Sequence, residues 1–68
     1  MEFLLVVYEA DRDVVIEGVT AGLTNHLITL APGTYTIALA PPPDFLPVLQ
    51  QVVVTDTSPL EPAEGLFA

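Results

Sequence analysis

Large apolar residues alternate with small or polar residues along positions 34–39, directly after a Pro-Gly pair. The larger residues, on one face, are Tyr35, Ile37 and Leu39, and those on the opposite face are Thr34, Thr36 and Ala38. An alternation with a period of two is typical of a β-strand with one buried face. We therefore predict a strand over residues 34–39 with its larger side chains in the core.

Four further segments have the composition of strands, namely residues 3–8, 14–17, 26–30 and 48–55. Leu66 and Phe67 are candidates for a last short strand that covers an open sheet edge. Residues 19–25 contain Gly22 among small and polar residues, directly after Gly18, so we predict a loop or a β-bulge there. The core is expected to consist of Val14, Ile16, Ile28, Leu30, Tyr35, Ile37, Leu39, Val52 and Val54.

Prolines and glycines mark the connections between these strands. Pro32-Gly33 predicts a type II turn, which would make residues 26–30 and 34–39 a hairpin. Pro41-Pro42-Pro43 ends the next strand, because proline has no backbone N–H to donate to a sheet. No segment has apolar residues at helical spacing. The pattern predicts an all-β fold, with residues 1–68 forming one small antiparallel β-sandwich or open barrel of five to six short strands.

The small size of the chain makes its apolar content informative. Of the 68 residues, 51% are apolar and 15% are charged, and cysteine is absent. A domain of this size buries only about 60% of the surface of its unfolded chain. Some apolar surface should therefore remain exposed, and we expect a homodimer or a protein-binding face to cover it.

The net charge narrows the choice of partner. Nine acidic residues against Arg12 give a formal charge of -8, which repels nucleic-acid phosphates and anionic lipids. We therefore expect no nucleic-acid partner. The first apolar run has no basic residue before it and is far shorter than the ~20 residues of a membrane helix, so no signal peptide and no membrane insertion are predicted. The chain as written is expected in the cytoplasm, unless it is an excised fragment of an envelope protein.

Few residues could support catalysis or bind a metal. His26 is the only histidine, and no serine or cysteine nucleophile lies in a nucleophile-elbow motif near it. Glu9, Asp11 and Asp13 could offer oxygens to Ca²⁺, but the loop glycine and the closing glutamate of a calcium loop are missing. We predict a surface histidine, a solvated acidic turn, no metal, no cofactor and no enzymatic activity.

Three segments resemble a known family: Asp-Val-Val-Ile-Glu-Gly at 13–18, Gly-Leu-Thr-Asn at 22–25 and Ile-Thr-Leu-Ala-Pro-Gly-Thr-Tyr-Thr-Ile at 28–37. They are similar to the PEGA domain, in which a Glu-Gly or Asp-Gly turn precedes a Gly-x-Thr-Pro step and a Leu-x-x-Gly-x-Tyr-x-Val hairpin. The resemblance implies a small β-sandwich that serves as a non-catalytic accessory module in envelope, surface-layer or signalling proteins. It places Asn25 where the family has proline, so Asn25→Pro should be tolerated if the alignment holds.

Two segments are candidate interaction sites. In the first strand, Phe3, Leu5 and Val7 fall on one face, and Leu4, Val6 and Tyr8 on the other. One face should pack in the domain and the other against a second copy or another protein. Phe45 and Leu46 lie on the proline-rich loop, where they either bind a partner or, in the case of Phe45, fold over the core. The sequence thus favours a protein-interaction or assembly module that acts through a sheet edge or apolar face. The alternative is an acidic inhibitor that mimics nucleic-acid phosphates.

Overall fold

Seven strands in two facing sheets make up the computed structural model, which describes residues 1–68. The strands are β1 (Glu2–Val7), β2 (Asp13–Ile16), β3 (Val19–Leu23), β4 (Leu27–Leu30), β5 (Gly33–Leu39), β6 (Gln50–Val54) and β7 (Ala63–Leu66). One sheet has the order β4-β1-β7 and the other β3-β2-β5-β6. The predicted all-β sandwich without helices is confirmed, whereas the predicted count of five to six strands is too low.

The core lies between the two sheets and follows the alternation of the strands. Seven of the nine predicted core residues are buried, and the other two, Leu30 and Tyr35, are partly buried against them. The inner face of β1 adds Leu4 and Val6, Tyr8 follows directly after this strand, and Phe45 and Phe67 close the core from outside the strands. The two sheets therefore share one apolar layer, with Ile37 fully buried within it.

The segment predicted as a loop or bulge is strand β3, paired with β2. Glu17 and Gly18 have φ values of 51° and 81°, which suit the type I′ turn of a two-residue hairpin. The register shifts between Val14 and Val15, so a bulge does occur opposite this point. A strand was not predicted because β3 lies at a sheet edge and most of its side chains are exposed, which leaves no apolar alternation to detect.

The predicted hairpin around Pro32-Gly33 does not form. Strand β4 pairs with β1, whereas β5 pairs with β2 and β6, so the Pro32-Gly33 connection crosses from one sheet to the other. Gly33 has a φ of 159°, not the value of about 80° at the second central position of a type II turn. Pairing with β1 prevails because it places Ile28 beside Leu4 in the core.

The last strand is longer than predicted and is not antiparallel. Strand β7 runs parallel to β1, so this pair departs from the predicted antiparallel arrangement, which the other four pairs follow. The N–H of Phe67 continues the pairing by donating to the carbonyl of Val7 at 2.9 Å. A Cβ atom on Gly65 would lie 2.5 Å from Cδ1 of Ile37. Glycine at this position therefore allows β7 to lie directly against the core.

Asn25 joins the turn between β3 and β4 to the end of β1. Its φ is 64°, and its N–H donates to the carbonyl of Val6 at 2.7 Å. Its side chain bonds both backbone groups of Tyr8, accepting from the N–H at 3.3 Å and donating to the carbonyl at 2.9 Å. Proline fits neither this φ nor this donor role. The expectation that Asn25 tolerates proline is therefore wrong for this structure.

Candidate interaction surface

The outward side of the three-stranded sheet is apolar across all of its strands. Phe3, Leu5 and Val7 on β1 are partly exposed there. Leu27 on β4 is level with Leu5 and 45% exposed, and Leu66 on β7 is level with Val7 and 62% exposed. These five side chains belong to what we call the outer face. The structure thus places the three candidate residues of β1 on one face and adds a leucine on each side.

Leu46 extends the outer face beyond β7. Its N–H and carbonyl exchange hydrogen bonds with the carbonyl and N–H of Ala68, both at 2.8 Å, as in a pair of neighbouring strands. Phe67 points into the core, so the strand alternation directs Ala68 outward with Leu66. Leu46 lies beside Ala68 and is 70% exposed. The candidate leucine of the loop is therefore part of the same apolar surface as β1.

Phe45 is a core residue and not part of the surface. It is 4% exposed, and its ring packs edge-on against Tyr8 and Phe67, with centroid distances of 6.4 and 5.7 Å. Such pairs are favourable because the positive edge of one ring meets the negative face of the other. Of the two loop candidates, only Leu46 is available to a partner, and Phe45 anchors the loop that presents it.

Arg12 fastens the proline-rich loop to the rest of the domain. Its Nη1 donates to Oδ1 of Asp44 at 2.5 Å and to the carbonyl of Pro42 at 2.9 Å. The guanidinium also lies over the rings of Tyr8 and Phe45, at 5.3 and 5.7 Å from their centroids. Its hydrogen bond lowers the pKa of Asp44 and raises that of Arg12. The only lysine or arginine of the chain is therefore engaged within the domain.

The outward side of the four-stranded sheet has a different composition. Small or polar residues, Thr34, Thr36, Ala38 and Gln51, alternate with the buried residues of β5 and β6. The large apolar residues on this side are Val53, at 63% exposure, Leu23, at 41% exposure, and the half-buried Val15, and the small residues of β5 separate Val53 from the other two. This sheet therefore offers no continuous apolar surface, and Val53 provides a control position for Leu66.

One carboxylate lies on the outer face. Glu64 on β7 is level with Leu5 and exposed, and Thr29 on β4 is level with Phe3. The other acidic residues lie mainly in the turns and loops at the ends of the sandwich or at strand starts. Three of them have local partners, since Glu2 binds Thr57, Glu17 accepts from the N–H of Thr36, and Asp44 binds Arg12. The outer face thus carries little of the charge of the protein.

The structure does not bring the acidic and histidine candidates of the sequence together into one group. No group of three or more His, Cys, Asp or Glu side chains could hold a metal ion, which includes Glu9, Asp11 and Asp13. No pocket opens on the surface. His26 is exposed, with Nδ1 at 3.4 Å from the carbonyl of Thr24. No helix is long and apolar enough to cross a membrane.

The first strand is also tied to the loop before β7. Thr57 donates to Oε1 of Glu2 from its N–H at 2.9 Å and from its hydroxyl at 2.6 Å, and its Oγ1 accepts from the N–H of Phe3 at 2.8 Å. The two bonds to the carboxylate lower the pKa of Glu2 from its ordinary value of 4.5.

A carboxylate whose pKa is lower in the folded than in the unfolded state stabilises the fold above its unfolded pKa, and this contribution is lost as the pH falls through the folded value. We therefore expect the melting temperature to fall as the pH drops below 4.5, because Glu2 and Asp44, whose pKa values are both lowered in the fold, are protonated there. Melts followed by circular dichroism test this. Glu2→Gln should show a smaller loss over the same range, and an acid dependence equal to that of the wild type would exclude a role for Glu2.

The fold and the outer face define a small β-sandwich domain with one exposed apolar sheet face. Comparison of the chain with family models, with curated proteins and with solved structures finds no match. The resemblance to the PEGA domain therefore stays a prediction. Leu27 and Leu66 were not among the predicted site residues. Alternation with the buried Ile28 accounts for the outward position of Leu27, but pairing of both leucines with β1 could not be read from local patterns.

Proposed function

We propose that the protein is a non-catalytic interaction and assembly module that packs a second copy of itself against the outer face. The observation that carries this proposal is the continuity of the face, from Leu27 through β1 to Leu66 and Leu46. Contiguous apolar patches on small domains typically mark interaction surfaces. The anchored loop supports the proposal further, because Leu46 is held in position before any partner binds and loses little entropy on binding.

The size of the face sets the expected strength of the contact. The outer face is four strand positions wide, at about 4.8 Å each, and six residues long, at about 3.3 Å each. These dimensions give a patch of roughly 19 by 20 Å. Such a patch falls below the roughly 800 Å² that each partner buries in a standard interface, within the class of weak or transient contacts. We therefore expect dimerisation at micromolar concentrations, driven by apolar burial and sensitive to a single charge on the face.

The acidic-inhibitor alternative has less support. The protein has the negative charge that such a mimic needs, because its only arginine is already paired with Asp44. The carboxylates are, however, spread over both ends of the sandwich and form no extended row. Ionic strength separates the two functions, since binding by a phosphate mimic weakens strongly as salt rises whereas an apolar contact holds.

Leu66→Glu and Leu5→Glu should each dissociate the dimer. A carboxylate buried there without a cation is unfavourable, and we expect its dissociation constant to rise by roughly a hundredfold. Sedimentation equilibrium over the micromolar range measures this. Val53→Glu is the matched control, because Val53 is 63% exposed and Leu66 is 62% exposed, and the charge change is the same.

Circular dichroism must show that each variant is folded before its association is compared. A wild-type protein that is monomeric across the micromolar range would overturn the proposal. Equal weakening by Val53→Glu and Leu66→Glu would also overturn it, because the effect would then come from net charge and not from the outer face.

A further inference from the structure

The proline-rich loop between β5 and β6 has few backbone attachments to the rest of the domain. Four of the nine residues at 41–49 are prolines, which have no N–H to donate. In this segment only Leu46 exchanges backbone hydrogen bonds with another part of the chain, through its pair with Ala68. The N–H of Asp44 bonds within the loop, to the carbonyl of Pro42 at 2.8 Å. Segments with so few backbone bonds open at a lower free energy than the strands around them.

One side chain gathers most of the polar contacts that hold this loop down. Arg12 donates from Nη1 to the carbonyl of Pro42 at 2.9 Å, and it reaches both carboxylate oxygens of Asp44. Its guanidinium also lies between the rings of Tyr8 and Phe45, within 6 Å of both centroids, where a cation is attracted to the ring faces. Because these contacts share one guanidinium, they form and break together.

The backbone of Arg12 belongs to the sandwich and not to the loop. Its N–H donates to Oγ1 of Thr24 at 2.8 Å, and its carbonyl accepts from the N–H of Thr24 at 2.9 Å. Thr24 is fully buried, and its hydroxyl donates in turn to the carbonyl of Ala10 at 2.7 Å. The guanidinium is therefore held from the folded body of the domain when the loop moves.

We infer that residues 41–49 form a lid that opens as one unit while the sandwich stays folded, and that Arg12 is the latch that keeps this lid closed. In the open form the ring of Phe45 is exposed, the backbone groups of Ala68 lose their partner, and Leu46 leaves the outer face. The inference goes beyond the proposed function, because the lid opens within one copy of the chain whether or not a second copy binds.

Native-state hydrogen exchange followed by nuclear magnetic resonance tests the lid. The N–H of Asn25, which donates to the carbonyl of Val6, reports opening of the sandwich. The N–H of Leu46 should exchange faster than that of Asn25 but more slowly than an unstructured amide. Equal protection at the two positions would overturn the lid, because the loop would then open only when the whole domain unfolds. An unprotected Leu46 would also overturn it, because the closed form would not be populated.

Substitutions at the ion pair test the latch. Arg12→Gln should raise the exchange rate of Leu46 about fivefold or more relative to that of Asn25, because all the guanidinium contacts are lost. Asp44→Asn should raise it about two- to fivefold, because this carboxylate is 57% exposed and solvent screens the pair. The double variant should exchange no faster than Arg12→Gln alone, since the carboxylate acts through the guanidinium.

Glu2→Gln is the matched control, because it removes the same charge from a carboxylate that holds the loop at Thr57 instead. It should leave the ratio of the Leu46 and Asn25 rates unchanged. A ratio that Arg12→Gln does not change, or that Glu2→Gln changes as much as Asp44→Asn does, would overturn the latch.

Protein concentration separates this inference from the proposed function. Opening of the lid does not depend on concentration, whereas protection of Leu46 by a second copy grows with it. The exchange rates are therefore measured at two concentrations tenfold apart. A protein that is monomeric at both would overturn the proposed dimer and leave the lid standing.

Discussion

Asn25→Pro should abolish folding or lower the free energy of unfolding by about 3 kcal/mol or more. Proline holds φ near −65°, whereas Asn25 has a φ of 64°. Proline also removes the N–H that donates to the carbonyl of Val6 and the side-chain amide that bonds Tyr8. Urea denaturation followed by circular dichroism measures the loss.

Asn25→Gly is the control for this substitution. Glycine accepts a positive φ and keeps the N–H, so only the two side-chain bonds to Tyr8 are lost, at a cost of about 1 to 3 kcal/mol. The difference between the two variants isolates the backbone contribution. If Asn25→Pro unfolds at the same urea concentration as the wild type, the turn in solution is not the one described, and the Thr-Pro step of the PEGA resemblance would gain support.

Ile37→Ala should cost about 2 to 5 kcal/mol, because it leaves a cavity at a fully buried position. A domain of this length has roughly 3 to 10 kcal/mol of stability in total. The variant should therefore be largely unfolded or close to it. Thermal and urea denaturation measure the effect, and a loss below 1 kcal/mol would mean that Ile37 does not lie in a packed core.

The contact between Ile37 and Gly65 offers a sharper test of the packing at this point. Gly65→Ala alone should be destabilising, because the new Cβ would lie 2.5 Å from Cδ1 of Ile37. Ile37→Val removes that methyl group. The double variant should therefore lose less stability than the sum of the single losses, by about 0.5 kcal/mol or more. Strict additivity would show that β7 does not approach Ile37 this closely.

Local alternation predicted the parts of the fold in which one face of a strand is buried. Along β5, Ile37 and Leu39 are buried as expected, and in β4 Ile28 points inward while Leu27 points outward. In β6, Val52 and Val54 follow the same rule. In these strands the polarity of each side chain indicates which face of the sheet it occupies. A short stretch of sequence is therefore enough to predict the buried positions.

Strand pairing could not be predicted in the same way, because it depends on contacts between distant residues. Pro32-Gly33 has the composition of a hairpin turn, but β4 pairs with the apolar strand β1, which brings Ile28 beside Leu4 in the core. Strand β3 has no buried face and was missed. In both cases the deciding interaction is a backbone ladder with another strand, and local composition does not indicate which strand is the partner.

The candidate surface was predicted in part for the same reasons. The alternation of Phe3, Leu5 and Val7 identified one face of β1, and that face is the outward one. The pairing of Leu46 with Ala68 joins two segments 22 positions apart, and no periodicity signals it. Phe45 and Leu46 are adjacent and apolar, so composition alone could not tell that one faces the core and the other the solvent.

The parallel pairing of β1 with β7 has a mechanical consequence. The first strand begins at one end of the sandwich and the last strand finishes at the other, although the two are neighbours. Tension applied between Met1 and Ala68 therefore pulls the two strands past each other, and their hydrogen bonds share the load together. In a terminal hairpin the bonds would open one after another. Sliding of β7 past β1 also requires Phe67 to leave the core. The domain should therefore resist a force that pulls its two ends apart.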